Sequence, residues 1–180
     1  MILWLTPAQL RALIAHSERE TPHEACGLIG GTIEGEIFRA CVIVPIANRA
    51  ENPCEHFVMD ESALVRAMLD FESSGWTLIG IFHSHPNSEP IPSPEDIRRA
   101  FYPGTPYMII GRTGALAVWE IHHGDVTPVT LHISESRPET PLPPPSRAVS
   151  TAVLITAAFA FIFVLTLALA LLPPAPIITP

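Results

Sequence analysis

The spacing of apolar residues predicts three helices in this chain. The first runs from residue 7 to about 20, behind the sequence TPAQ, which supplies a threonine cap, a proline for the first helical position and a glutamine for a capping box. A second is predicted between Asp60, a cap residue, and Gly75, a helix-ending residue. A third is predicted to begin near Ser93.

Several short runs between and after these helices have the composition of strands. Residues 25–31 and 36–45 flank a short turn that contains Glu-Gly, which favours a hairpin, and TLIGIFHSH at 77–85 is typical of a buried strand. The remaining predicted strands are YMIIG, ALAVWEIH and VTPVTLHI, within residues 107–133. The order of elements predicts an α+β domain, a single mixed sheet flanked by helices.

The predicted strand at 77–85 ends in two histidines with one residue between them. Side chains alternate faces along a strand, so His83 and His85 project together while Ser84 faces away. Two neighbouring imidazoles supply half of a tetrahedral zinc site. Asp96 is the candidate third ligand, eleven residues after His85. Ser93 and Asp96 taken alone are typical of a capping box, and in this position they can cap a helix and face a metal together.

Three protein ligands would leave the fourth zinc position for water, whose pKa zinc lowers towards about 7. Hydrolysis then needs a base for the proton of that water. Glu24, directly before the predicted strand ACGLIGG, is the candidate.

These positions resemble one protein family. Glu24 before ACGLIG, then HSHP, seven residues to Ser93 and two more to Asp96 are similar to the JAMM (MPN+) metalloprotease pattern E…H-x-H-x(7)-S-x-x-D, with every position filled. The resemblance covers residues 2 to about 134. NPCEHFVMD and PSPEDI are similar to short bacterial members that act on sulfur-carrier or ubiquitin-like proteins.

The resemblance implies an MPN/JAMM-like fold, related to that of cytidine deaminases, and a Zn2+ cofactor. It implies that His83, His85 and Asp96 bind the metal. Glu24 would move the proton from water to the leaving amine, and Ser93 would donate a hydrogen bond to the oxyanion. The implied reaction is hydrolysis of an amide or isopeptide bond after a Gly-Gly terminus.

The most apolar part of the chain lies near its end. Residues 148–172 contain no charge and exceed the roughly 20 residues that cross a bilayer, so they predict a transmembrane helix rather than a buried core helix. The N-terminus lacks the basic and apolar regions of a signal peptide, and Arg137 and Arg147 lie on the domain side of the predicted helix. We therefore expect a single-pass, C-terminally anchored membrane protein with a cytoplasmic catalytic domain.

The predicted organisation has four parts. The catalytic domain spans 1–135, a linker 136–147, the transmembrane helix 148–172 and a short tail 173–180. Residues 138–145 contain five prolines, which favours an extended spacer over a site for a proline-recognition module.

The charge of the chain limits the classes of binding partner, and its cysteine spacing indicates the state of the thiols. The net charge of −8, with histidines neutral, argues against nucleic acid, and all ten basic residues are arginine. Codon bias explains the lack of lysine, and so would selection against amine-conjugation targets. Cys26, Cys41 and Cys54 form no C-x-x-C pair and are interpreted as reduced thiols. Cys54 and His56 could suggest a second metal, but they lack a partner pair.

Three functions remain open at this point. The first is an isopeptidase for a ubiquitin-like or sulfur-carrier protein. The second is the same protease chemistry on an unrelated membrane-proximal protein, and the third is an inactive scaffold. An inactive scaffold is expected to have lost metal ligands, whereas every ligand position is filled here.

Overall fold

The computed structural model describes residues 1–138, which form one unit built around a single sheet. The helices are α1 (Pro7–Glu20), α2 (Glu61–Ser73) and α3 (Pro94–Arg98). The strands are β1 (Ile2–Leu5), β2 (Cys26–Glu34), β3 (Ile37–Ile46), β4 (Thr77–His85), β5 (Tyr107–Gly111), β6 (Leu116–His122), β7 (Asp125–Pro128) and β8 (Thr130–Ile133).

The sheet is mixed and contains all eight strands in the order β7-β6-β5-β4-β2-β3-β1-β8. β2 and β3 form the predicted antiparallel hairpin, whose turn contains Gly35 at φ +60°. β4 lies in the middle, antiparallel to β2 and parallel to β5. The α+β architecture expected from the sequence is therefore confirmed, and β4 is supported on both sides.

Helices cover the two faces of the sheet. One apolar cluster includes Leu13 of α1 with Leu3, Ile29 and Phe82 from the strands. The other includes Ala67 and Phe71 of α2 with strand residues such as Leu28, Ile81 and Tyr107. Both faces of β2 and β4 are thus buried, which explains why these strands are nearly continuous apolar runs rather than alternating ones.

The predicted helix caps are present. Thr6 and Gln9 form a reciprocal capping box at the start of α1, and the side chain of Asp60 accepts a hydrogen bond from the main-chain N–H of Ala63 in α2. Gly75 follows α2 at φ +71°, a conformation that side chains other than glycine rarely adopt.

Two features of the sheet differ from the sequence prediction. β1 was not predicted, because a strand of four residues has too few positions to show a period, yet it pairs in parallel with both β3 and β8. The single strand expected over VTPVTLHI is two strands, with β7 paired to β6 and β8 paired to β1. Pro128 ends β7, since a proline has no N–H to continue the ladder.

Within residues 1–138 no helix has the length and apolar character needed to cross a bilayer. The predicted transmembrane helix and tail, and the linker from residue 139 onward, lie outside the described residues. The predicted domain boundaries therefore stay predictions.

Candidate active site

The two histidines lie at the end of β4, where the strand leaves the sheet. Their side chains are on one face of the strand, with Nε2 of His83 3.0 Å from Nε2 of His85. Both are buried, at 1% and 6% exposure. The paired strands β2 and β5 fix the backbone beneath them, so the spacing of the two rings follows from strand geometry.

Asp96 reaches the same point from the first turn of α3. Its Oδ1 lies 3.3 Å from Nε2 of His83 and its Oδ2 lies 3.4 Å from Nε2 of His85. Pro94 at the first helical position and the capping box with Ser93 fix this turn. The residues that define the helix start therefore also aim the carboxylate at the histidines.

The three side chains have the spacing that one tetrahedral metal requires. Metal–ligand bonds of 2.0–2.1 Å at a tetrahedral angle place neighbouring ligand atoms about 3.3 Å apart, close to the distances above. Nδ1 of His85 lies 3.0 Å from the carbonyl oxygen of Glu89, to which it can donate, leaving Nε2 as the free ligand atom. Two nitrogens and one carboxylate suit zinc, so the donor set fits the expected metal. Within residues 1–138 this is the one group of three His, Cys, Asp or Glu side chains close enough to share an ion.

The charges of these groups support a cation between them. Burial alone would raise the pKa of Asp96, but its hydrogen bonds with His83 and His85 outweigh burial, so the pKa lies well below its usual range. Burial lowers the pKa of His83. For His85 burial acts in the same direction, but the hydrogen bonds with Asp96 and with the Glu89 carbonyl outweigh it and the pKa is raised. An ionised carboxylate beside a neutral His83 is the protonation state in which these groups bind metal.

Glu24 is placed next to the histidines by the pairing of β2 with β4. Cys26 is opposite His83, and the same register continued by two residues brings Glu24 opposite His85. Glu24 is 5% exposed, and its buried Oε2 has no hydrogen-bond partner among the described residues. Burial raises the pKa of Glu24 to about 7, with the charge of His85 opposing and that of Asp96 adding to the shift. A carboxyl group with this pKa can accept and return a proton near neutral pH.

The hydroxyl of Ser93 still has its proton to donate. Its Oγ accepts a hydrogen bond from the main-chain N–H of Asp96 at 3.1 Å. A hydroxyl can accept and donate at once. A hydrogen bond of the Ser93 side chain is also among the causes that lower the pKa of Asp96, so this carboxylate is one acceptor within reach of the hydroxyl proton.

Three further residues contribute to the site and were not predicted from the sequence. Ser84 is buried and faces away from the cluster as expected, but its Oγ accepts from the N–H of Ala25 at 2.8 Å and so joins the histidine strand to the residue after Glu24. The ring of Phe57 stacks on His83, with centroids 4.7 Å apart and planes 28° from parallel. Asn48 is bonded to the carbonyl oxygen of Glu24. Sequence periodicity does not identify such residues, because each of the three contacts a residue that is distant in the chain.

A cavity of about 220 Å³ opens beside the cluster. His83 and Asp96 form part of its wall, and the remaining wall is mainly apolar and aromatic, with Phe57, Leu64, Tyr102 and Tyr107 among its lining residues.

Cys54 and His56 are outside the metal cluster, and His23 is exposed although it adjoins Glu24.

The fold and the cluster define a metal-dependent hydrolase of the JAMM class. Residues 6–147 match the family model described as prokaryotic homologs of the JAB domain, and the chain belongs to this family. The resemblance noted in the sequence is thus confirmed, and the protein is a metalloprotease.

Relatives of known description agree with this assignment. The chain is 34% identical over 117 residues to a probable TtuB-protein conjugate cleaving protease of Thermus thermophilus, covering 65% of this chain and 75% of that one. It is 27% identical over 130 residues to the CysO-cysteine peptidase of Mycobacterium tuberculosis, covering 70% of this chain and 87% of that one. Among solved structures, a protein from Desulfitobacterium hafniense is similar, with a TM-score of 0.69, 34% identity, and coverage of 76% of this chain and 94% of that one.

Proposed function

We propose that this protein is a zinc-dependent peptidase that hydrolyses the amide or isopeptide bond after the Gly-Gly terminus of a ubiquitin-like or sulfur-carrier protein. The observation that carries the proposal is the convergence of His83, His85 and Asp96, whose ligand atoms lie within 4.8 Å of one another. Glu24, buried two residues before the neighbouring strand β2 with its pKa raised to about 7, completes the set of groups that hydrolysis needs.

Each residue has a separate task in this proposal. His83, His85 and Asp96 hold the zinc ion, which when bound supplies Lewis-acid catalysis by polarising the carbonyl and activating water. Glu24 takes the proton from the attacking water and delivers it to the leaving amine. The hydroxyl of Ser93 donates a hydrogen bond to the oxygen that becomes negatively charged as the bond is attacked.

Two observations support the substrate class. The names of the relatives refer to cleavage of a TtuB–protein conjugate and to a CysO–cysteine bond, one joining two proteins and the other joining a protein to an amino acid. The site also lies at the end of a strand, beside a cavity of about 220 Å³ with an apolar wall. An extended Gly-Gly terminus is thin enough to reach such a buried cluster.

The charge-free segment 148–172 favours a second element of the proposal, that the enzyme is anchored to a membrane by a C-terminal helix with its catalytic domain in the cytoplasm. The same segment favours one alternative substrate, an unrelated membrane-proximal protein, because an anchor raises the local concentration of membrane targets. A non-catalytic scaffold is disfavoured because every ligand position is filled.

Cleavage by the purified full-length chain tests the proposal. The zinc-loaded protein is incubated with a ubiquitin-like or sulfur-carrier protein extended beyond its Gly-Gly terminus, once by a protein and once by a single amino acid. We expect a cut after the second glycine, and Glu24→Gln, matched in size, should lose activity by about 10²–10⁴-fold. A Glu24→Gln protein that still cuts would disprove the role of this carboxylate. If the wild-type protein holds one zinc ion and cuts neither extension, the proposed substrate class is wrong.

Fractionation of cells that produce the Glu24→Gln variant tests the anchor. We expect the intact chain in the membrane fraction, and a chain ending at residue 147 in the soluble fraction. Conjugates that accumulate in the variant identify the substrate, and a membrane protein without a Gly-Gly-linked partner among them would favour the alternative.

A further inference from the structure

Asn48 lies at the start of an irregular segment, residues 49–59, whose last four residues line the cavity beside the metal cluster. The side chain of Asn48 uses its full hydrogen-bonding capacity within this region. Its amide nitrogen donates to the carbonyl oxygens of Glu24 at 3.0 Å and of His56 at 3.2 Å, with a longer contact of 3.5 Å to the carbonyl oxygen of Pro53. Its amide oxygen accepts from the main-chain N–H groups of Ala50 and Val58, each at 3.0 Å.

The surroundings fix the orientation of this amide. The nitrogen faces carbonyl oxygens only and the oxygen faces two N–H groups, so the reversed orientation would lose all of these bonds. Both ends of segment 49–59 and its middle are therefore tied to one side chain. The ends are also close to each other, since Asn48 forms an isolated bridge with Met59.

The segment holds the main chain of Glu24 from two directions. The N–H of Glu24 donates to the carbonyl oxygen of Pro53 at 2.7 Å, and its own carbonyl oxygen accepts from Asn48. Glu24 precedes the first residue of β2, so the sheet ladder alone does not fix its backbone. The position of its carboxylate therefore depends on the segment that Asn48 organises.

The same segment also holds His83. Nδ1 of His83 is buried without a hydrogen-bond partner among residues 1–138, in contrast to Nδ1 of His85, which lies 3.0 Å from the Glu89 carbonyl oxygen. What lies against the His83 ring is the stacked ring of Phe57. Phe57 lies between His56 and Val58, and the main-chain groups of both neighbours are hydrogen-bonded to the Asn48 side chain.

We propose that Asn48 is a positioning residue that couples the base to the metal ligands. Through one side of its amide it sets the backbone of Glu24, and through segment 49–59 it holds Phe57 against the ring of His83. Replacing it should change the geometry of both groups while the sheet and helices stay folded. This inference rests on the proposed function for its kinetic test only.

The test compares three substitutions in the full-length, zinc-loaded protein. Asn48→Ala removes every side-chain hydrogen bond of this residue. Asn48→Asp keeps the oxygen that accepts from Ala50 and Val58 but loses the donor to Glu24. Asn52→Ala is the matched control, because Asn52 is an exposed asparagine of the same segment with no side-chain hydrogen bond to residues 1–138.

We expect kcat per folded molecule to fall about 10–100-fold in both Asn48 variants, the usual range for residues that orient metal ligands. KM should change less than about threefold, because Asn48 acts on the reacting groups rather than on substrate binding. The dissociation constant for zinc, measured by competition with a chromophoric chelator, should rise about 10-fold in Asn48→Ala. Amide hydrogen exchange should become faster at residues 50 and 58. Asn52→Ala should match the wild-type protein in all three measurements.

A purely structural role gives a different result. It would lower the melting temperature but leave kcat and zinc affinity of the folded fraction at wild-type values, and this outcome overturns the proposal. If Asn48→Ala does not fold, the decision passes to Asn48→Asp, and unfolding of both variants also overturns it. If the wild-type protein cuts none of the tested conjugates, the proposed substrate is wrong, while zinc affinity and hydrogen exchange still decide the role of Asn48.

Discussion

Ser93 and Asp96 are joined by two hydrogen bonds that run in opposite directions. The main-chain N–H of Ser93 donates to Oδ2 of Asp96 at 2.7 Å, and the main-chain N–H of Asp96 donates to Oγ of Ser93 at 3.1 Å. The same carboxylate faces both histidines at 3.3 and 3.4 Å. One pair of side chains therefore starts a helix and builds the metal site, and its two roles can be separated by mutation.

Asp96→Asn should separate capping from metal binding. The amide oxygen can still accept from the N–H of Ser93, so the helix cap is kept, whereas the interactions of the ionised carboxylate with the two histidines are lost and the metal-free protein should be less stable near neutral pH. Zinc affinity should fall on the order of 100-fold or more, because a neutral amide replaces an ionised ligand. Competition with a chelator measures this loss.

Ser93→Ala is the companion variant. It removes the cap that Oγ provides, at a cost of about 1 kcal/mol in stability, and it leaves the three metal ligands in place. We expect lower activity and near-normal zinc affinity. Equal zinc affinity in Asp96→Asn and Ser93→Ala would contradict the assignment of Asp96 as a ligand.

The stability of the metal-free protein should depend on pH through Glu24. The folded pKa is raised from 4.5 to about 7, so between these values the folded state binds more protons than the unfolded state. This contribution to stability is complete below pH 4.5 and decreases as pH rises through the window. It should amount to on the order of 1–3 kcal/mol.

Glu24→Gln cannot ionise and should lack this dependence. Urea unfolding of both proteins in the presence of a chelator, at pH 4.5 and pH 7.5, measures the difference. The unfolding free energy of the variant minus that of the wild-type protein should be larger at pH 7.5 than at pH 4.5. An equal difference in unfolding free energy at the two pH values would show that burial does not disfavour the ionised form of Glu24.

Cys26 should be unreactive in the folded protein. Its side chain is fully buried, its Sγ lies 3.3 Å from the carbonyl oxygen of Ile46, and burial, with the charges of Glu24 and Glu20, raises its pKa to about 12. Treatment with N-ethylmaleimide at neutral pH should therefore modify Cys41 and Cys54, which are partly exposed, and leave Cys26 as the thiol.

Mass spectrometry of the intact chain counts the adducts. We expect two in buffer and three in guanidinium, and Cys26→Ser should give two under both conditions. Rapid formation of a third adduct in the native wild-type protein would mean that β2 opens far more readily than its burial implies.

Gly30→Ala should destabilise the fold through Phe71. A Cβ at position 30 would lie 2.5 Å from Cε1 of the Phe71 ring, which packs from α2 onto the sheet. We expect a loss of about 1–3 kcal/mol, typical of an overfilled core, measured by urea unfolding. Gly80→Ala is the control, since its nearest neighbour is the terminal Cδ1 of Ile29 at 3.1 Å.

A double variant checks the cause. Phe71→Leu makes room at the same contact, so Gly30→Ala should cost less in that background than in the wild-type protein. Additive effects of the two substitutions would place the strain elsewhere.

Local features of this protein followed from its sequence because local rules generate them. The bounds of α1, the cap of α2 by Asp60 and the strand YMIIG depend on residues a few positions apart, and all three predictions are confirmed. The common face of His83 and His85 has the same origin, a strand period of two. The predicted membrane helix also rests on local composition, and it stays a prediction.

Tertiary structure decided what lies between those local features. The pairing of β2 with β4 brings Glu24 opposite His85, 61 positions further along the chain. The contact of Phe57 with His83 and the bonds of Asn48 likewise join distant segments. The position of β1 between β3 and β8 also depends on contacts between distant segments. The same is true of the division of residues 125–133 into two strands. Pairing between distant segments depends on the energy of the whole packed sheet, which local patterns do not show. The sequence by itself therefore determined the ligand types and their local spacing. The tertiary structure determined which residues hold those ligands in place.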